Sequence, residues 1–331
     1  MRSFRVFHFI LFLLYISCHE ESEKLPDCPG INEVILSSPY QDPLWHPSGD
    51  FIGFNYTPLK RIIYDKNKCL STAEYEYDFS SRGYYFISPD GTNQRMVLPF
   101  HLNDACWSNS GDFIVFSKDD GTICKIKFEN NAFEENVTQI SAGERFWEAV
   151  LSPGDDQIAY VNRIQITDQV GIWISDLNTA PEREYFVFGG SPQWLNSTTI
   201  LYIGVQSIWK KEIGFEERKL FDVIDPSLYV LNSIRVNTIG EKLIIDALSN
   251  SLDISGRNLW SVNIDGSDLQ LFHPDAQSPS ISNSTETLVA FTAFDGKEID
   301  HESGTIWLKN IDGSNERQLT FHDDLQIEFK E

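Results

Sequence analysis

A chain of 331 residues with 41% hydrophobic and 13% aromatic side chains carries enough apolar material for a sizeable core, which excludes global disorder. Its 26 Lys and Arg against 49 Asp and Glu leave a formal charge of −23. That charge excludes nucleic acid and opposes an anionic membrane surface, because phosphates are neutralised by clustered cations.

At the N-terminus Arg2 and Arg5 precede an apolar run from Val6 to Ile16, shorter than a bilayer span and ordered like a secretory signal, charge first. The run ends in Tyr15-Ile16-Ser17-Cys18, which resembles a bacterial lipobox. The resemblance implies cleavage before Cys18 and a lipid on that residue. Tyr15 stands where a lipobox carries an aliphatic side chain, so plain secretion is the alternative. His19-Glu20-Glu21-Ser22-Glu23 is similar to the acidic stretch that sends some lipoproteins to the outer surface. The expected division is a signal peptide over 1–17, a lipidated acidic tether over 18–30 and a single domain over 31–331. Such a chain is an exported outer-membrane lipoprotein at the cell surface or in the periplasm, meeting the membrane through its lipid alone.

From Pro43 onward one pattern recurs. Pro43-Leu44-Trp45, a polar turn over His46 to Asp50 and the strand Phe51-Ile52-Gly53-Phe54 match Ala105-Cys106-Trp107, the turn Ser108 to Asp112 and Phe113-Ile114-Val115-Phe116. Further copies start at Ala149, at Pro192-Gln193-Trp194, at Ser233-Ile234-Arg235 and at Pro279-Ser280-Ile281. The second half of each copy repeats too. Ile172-Trp173, Ile208-Trp209, Leu259-Trp260 and Ile306-Trp307 hold one position, filled by Tyr84-Tyr85 and Ile123-Cys124 in the first two copies. Asp90-Gly91, Asp265-Gly266 and Asp312-Gly313 then read as two-residue hairpin turns tolerant of positive φ. Each copy is a four-stranded antiparallel unit that buries its faces only by stacking on neighbours, so the predicted fold is an all-β, six-bladed β-propeller.

The Pro-x-Trp and Gly-Asp turn, with the distal Ile-Trp, Asp-Gly-Ser and Arg317-Gln318-Leu319-Thr320, resembles the TolB-type, WD40-like propeller repeat over Pro43 to Thr320. The resemblance implies the fold. It leaves the function open, because such propellers serve as binding scaffolds, as translocation proteins and in some lyases.

Catalytic patterns are missing from the sequence. There is no Gly-x-Ser-x-Gly elbow, and His46, His101, His273, His301 and His322 show no metal-ligand spacing. With strands lettered A to D from the axis outward, the long links join B to C: Thr57 to Ser81, Arg163 to Val170, Leu248 to Ser255 and Ala293 to Ser303. These share one face with the D–A links, and insertions gathered on one face mark a binding side. The longest carries Lys60, Arg61, Tyr64, Lys66, Lys68, Tyr75 and Tyr77, a basic and aromatic stretch that reads equally as a partner contact or as a self-packed flap.

Among the cysteines, Cys106 and Cys124 fall on strands A and C of one blade, roughly two spacings of about 4.8 Å apart and beyond disulfide reach. Cys28 and Cys69 are left as the pairing that strains no blade. For ring closure, Val34 to Leu36 is expected on the edge of the last blade, with the tail from Leu325 to Phe329 near the first. The function expected is a monomeric, non-enzymatic scaffold that needs no cofactor or metal and binds a protein or glycan partner on the B–C face. The alternative is a metal-assisted lyase or hydrolase acting on an extracellular polysaccharide. Three or more His, Asp or Glu converging at the funnel favour that alternative.

Overall fold

The computed structural model describes residues 38–330 apart from 66–73, 119, 141–145, 163–170, 178–182, 224–227, 238–240, 251–254, 283–286, 295–303 and 323–324. Six antiparallel sheets of four strands follow one another along the chain. They form blades 1 to 6 over 40–98, 103–139, 146–187, 190–222, 228–273 and 276–318. In blade 1 the strands are A (Tyr40–Trp45), B (Ile52–Tyr56), C (Gly83–Ile87) and D (Arg95–Leu98).

Local chemistry sets the turns. Between A and B, Gly49 and Gly111 take φ of 78° and donate to the carbonyls of His46 and Ser108. A Cβ at Gly111 meets His46 Nε2 of the preceding blade at 2.7 Å, so glycine is required there twice over. Between C and D the expected two-residue turns are wider. Only Gly91, Gly266 and Gly313 of each Asp-Gly pair have positive φ, and the backbone closes from Ser88 to Thr92 and equivalently in blades 5 and 6. The aspartates act as acceptors instead. Asp90 takes Thr92 N and Oγ1, Asp265 takes Ser267 N and Oγ, and Asp312 takes Ser314 N and Oγ, all within 2.9 Å. These bonds hold all three carboxyls below the usual range.

The core lies between blades. Each of six buried clusters joins two neighbours: Val115 with Ala149 and Tyr160 across blades 2 and 3, and Ile208 with Ile245 and Trp260 across blades 4 and 5. The seam between blades 6 and 1 has the same construction, with Tyr40, Trp45, Ile52 and Phe54 against Ala290, Ile306, Leu308 and Leu319. The A and C aromatics therefore pack between blades. Trp107 of blade 2, for example, meets the rings of His46 and Phe86 of blade 1 at 4.7 and 6.3 Å.

The tail strand Gln326–Lys330 lies near the first blade, as expected. It runs parallel to Leu59–Asp65 of the blade 1 insertion, which pairs on its other side with Glu74–Tyr77. Val34 to Leu36, expected at the same seam, falls outside the described residues.

Candidate functional site

The A strands surround a central cavity of about 880 Å³ that reaches from mid-strand to A–B turn residues such as Pro47, Asn109 and Pro153. Every A strand is bulged against its B strand. In five blades the bulged residue has positive φ: Asp42 (51°), Asp104 (47°), Glu148 (55°), Ser191 (49°) and Ser278 (53°). A bulge re-aims one side chain and frees its backbone N–H from the ladder. That freed donor then seeks a partner on the preceding blade.

A chain of polar clasps results, one at each boundary. Asn55 of blade 1 donates to Leu102 O and accepts from Leu102 N, both at 2.8 Å. Asp104 of blade 2 accepts from Glu148 N, and Glu148 of blade 3 accepts from Ser191 N at 2.6 Å. Ser191 Oγ accepts from Ile234 N at 2.9 Å, and Asp246 of blade 5 accepts from Ser278 N at 3.0 Å. Ser278 Oγ closes the circle by donating to Asp42 at 3.0 Å.

Charge is uneven around the wall. Asp42, Asp104 and Glu148 stand on blades 1 to 3, whereas the lining cations Arg235 and Arg257 belong to blade 5. Arg257 is bidentate to the fully buried Asp246, at 2.8 and 3.0 Å, and reaches Gln277 at 3.0 Å. Partial burial, followed by the charges of Glu148 and Asp42, pushes the Asp104 carboxyl up to about 6 against a weaker opposing pull from Arg235.

Among the described residues no group of three or more His, Cys, Asp or Glu is placed to hold a metal ion. The histidines are dispersed. His46 donates to Gly111 O at 3.2 Å, His101 bonds Thr57 and Tyr56, and His273 sits 3.7 Å from Glu316. Burial lowers the basicity of His46 and His273.

The opposite face carries the B–C and D–A links, and it is apolar in a way the channel is not. Phe79, Phe100, Phe188, Val205, Val230, Leu248 and Phe321 are all exposed there, Val205 to 83%. The blade 4 C–D hairpin, on the other face, shows Ile213 and Phe215. Val230 and Leu248 are cross-strand partners on blade 5, whose A, B and C strands run nine residues each and so overreach their neighbours. Phe188 and Val205 flank the paired ends Gly190 and Ile203 of blade 4. Hydropathy alternation did not single these residues out, because most lie in links, and Val230 and Leu248 lie where blade 5 strands overreach their neighbours. Counting apolar residues in the links was the signal available.

Of the residues expected to bind, Lys60, Arg61, Tyr64, Tyr75 and Tyr77 come together in the three-stranded flap. Its two cations are already answered by acids. Lys60 pairs with Asp78 at 3.2 Å, and Arg61 with Glu76 and Glu328 at 3.4 Å each. Tyr75 stands opposite Ile62, and Tyr64 is in register with Phe329. Tyr77 contacts the Phe79 ring at 6.0 Å, and burial raises its phenol pKa. Cys106 and Cys124 are free thiols, in keeping with their strand positions. Cys18, Cys28 and Cys69, like the long B–C links of blades 3, 5 and 6, lie outside the described residues. No described helix is long and apolar enough to cross a membrane.

Bulged inner strands around a polar channel, under a face of apolar links, define a six-bladed β-propeller. No protein-family model matches the chain, and no curated protein does. Solved structures do share the fold. The putative TolB of Agrobacterium tumefaciens is 15% identical with a TM-score of 0.54, over 69% of this chain and 84% of that one. TolB of Acinetobacter baumannii is 14% identical at 0.54, over 81% and 76%. An oligogalacturonate lyase in complex with manganese is 13% identical at 0.51, over 86% and 78%. At such identities the likeness is one of fold.

Proposed function

We propose that the chain is a non-enzymatic scaffold of the cell envelope, exported, lipid-anchored at Cys18, and holding a protein or glycan partner against the B–C and D–A face. The observation that carries this reading is the concentration of exposed Phe, Val and Leu on that face. Protruding apolar groups gathered on one side are partner-binding surface rather than ordinary solvent exposure. Their aliphatic and phenyl character supports a protein over a glycan. The lyase reading draws on the fold likeness, and among the described residues the dispersal of His46, His101 and His273 lends it no converging ligands.

Phe188→Asp and Val205→Asp test the face. Both side chains are exposed, 61% and 83%, so stability is expected to change by less than about 0.5 kcal/mol. Partner recovered by cross-linking on intact cells is expected to fall about tenfold or more, as for loss of an interface anchor. Unchanged recovery from the doubly substituted protein overturns the reading.

A further inference from the structure

The blade 1 flap is a sheet with a replaceable member. Its middle strand, Leu59–Asp65, is held on one side by Glu74–Tyr77, and its Leu59 and Ile62 side chains are buried. That strand is therefore anchored by its own hairpin on the side away from the edge. At the edge it receives Gln326–Lys330, five residues at the C-terminal end of the chain, in parallel register from Gln326 opposite Arg61 to Lys330 opposite Asp65. The added segment reads Gln-Ile-Glu-Phe-Lys, alternating polar and apolar as a strand should. Among the described side chains its tie to the flap is the ion pair between Arg61 Nη1 and Glu328 Oε1, at 3.4 Å with side chains 36% and 49% exposed. Exposed pairs of this kind contribute little.

We infer that this edge is a strand-acceptor slot, kept filled by the chain's own segment Gln326–Lys330, which a partner protein enters as an extended segment in that segment's place. The incoming strand runs parallel to Leu59–Asp65 and carries a carboxylate opposite Ile63, within reach of Arg61. Main-chain bonds along the edge supply affinity and the alternate side chains supply selection, as in strand addition generally. The resident competes at the high local concentration of a short tether, on the order of millimolar. A partner already seated on the adjoining apolar face overcomes it by the same arithmetic, so the slot deepens the scaffold reading and rests on it.

The test uses the full-length chain and, as probe, a labelled synthetic peptide of residues 325–331. Glu328→Arg loosens the resident, and the probe is expected to bind this variant saturably and at least threefold more tightly than the unsubstituted protein. Amides from Arg61 to Asp65 should then exchange more slowly with solvent. A probe carrying Arg in place of its glutamate should bind Glu328→Arg more weakly, and should prefer a protein bearing Arg61→Glu. Any of three results overturns the inference: no saturable binding to Glu328→Arg, equal binding of the two probes irrespective of the residue at 61, or a dimer formed by tails exchanged between copies. Neither probe result depends on Phe188 or Val205. Unchanged partner capture in the face variants with probe binding intact is therefore failure of the face, and lost capture with no probe binding to Glu328→Arg is failure of the slot alone.

Discussion

The two sides of the channel solve one problem with different chemistry. Blades 1 to 3 fill their bulges with Asp42, Asp104 and Glu148, whereas blades 4 and 6 fill theirs with Ser191 and Ser278. Blade 5 draws its acid from strand B, as Asp246, and matches it with Arg257. Asp104, Glu148 and Asp246 each cap the N–H that the next bulge sets free, Ser191 caps Ile234 N, and Ser278 instead donates its hydroxyl to Asp42. A hydroxyl or a neutralised carboxylate does so without electrostatic cost, while three neighbouring carboxylates repel one another. The clasp is thus a requirement of the backbone, and its charge is a separate choice.

The largest effect should come from breaking the compensated side. Asp246 is fully buried and accepts from Arg257, Asn232 and Ser278 N. Asp246→Ala leaves a guanidinium and a backbone donor without their acceptor, at a cost of about 3–5 kcal/mol in urea unfolding. A loss below about 1 kcal/mol shows that the two sides do not differ as described.

A change of opposite sign is expected from the crowded side. The Asp104 carboxyl, usually near 3.8, is raised to about 6, so the folded protein binds its proton more tightly than the unfolded chain does. Below 3.8 both states are protonated and no penalty exists. As pH rises through the folded value the penalty becomes complete. Asp104→Asn keeps an acceptor for Glu148 N and removes the charge. After allowance for solvent screening it should stabilise the protein by about 1–2 kcal/mol at pH 7.5, a gain that disappears at pH 4. A pH-independent change in melting temperature contradicts the electrostatic account.

The smallest effect concerns Tyr84, whose buried hydroxyl has no hydrogen-bond partner among the described residues and lies in the field of Asp42. Burial, then Asp42, raises its pKa. Tyr84→Phe is expected to be neutral or stabilising by up to about 1 kcal/mol, where removal of a satisfied hydroxyl costs a similar amount. Destabilisation beyond about 1 kcal/mol in a thermal melt indicates an acceptor for that hydroxyl.

The fold was legible because repetition multiplies weak signals. Gly49 and Gly111, the Asp-Gly hairpins and the Trp positions each say little alone, yet together they state a four-stranded unit six times. The clasps were harder to read. Asp42, Asp104, Glu148, Ser191 and Ser278 all stand three residues before the end of the A strand, a shared polar position visible in the sequence. Its positive φ arises from a two-residue bulge that alternation cannot reveal. The flap illustrates a different limit. Tyr75, Tyr77, Lys60 and Arg61 were correctly grouped, but their partners Glu76, Asp78 and especially Glu328 come from sequence neighbours and from the far end of the chain, and no local pattern joins position 61 to position 328.

Because each blade is drawn from one stretch of chain, the order of assembly is written into the connectivity. A chain delivered to a compartment N-terminus first completes each sheet before the next arrives, paying only short loop closures as it grows. The long-range events come at the end. Trp45 N must find Ser280 Oγ and the Tyr40 hydroxyl must find Phe321 O, contacts 235 and 281 residues apart along the sequence. Until they form, the Tyr40 and Trp45 flank of the first blade remains uncovered, so the nascent protein carries its stickiest surface from the moment it begins to fold until the moment it finishes.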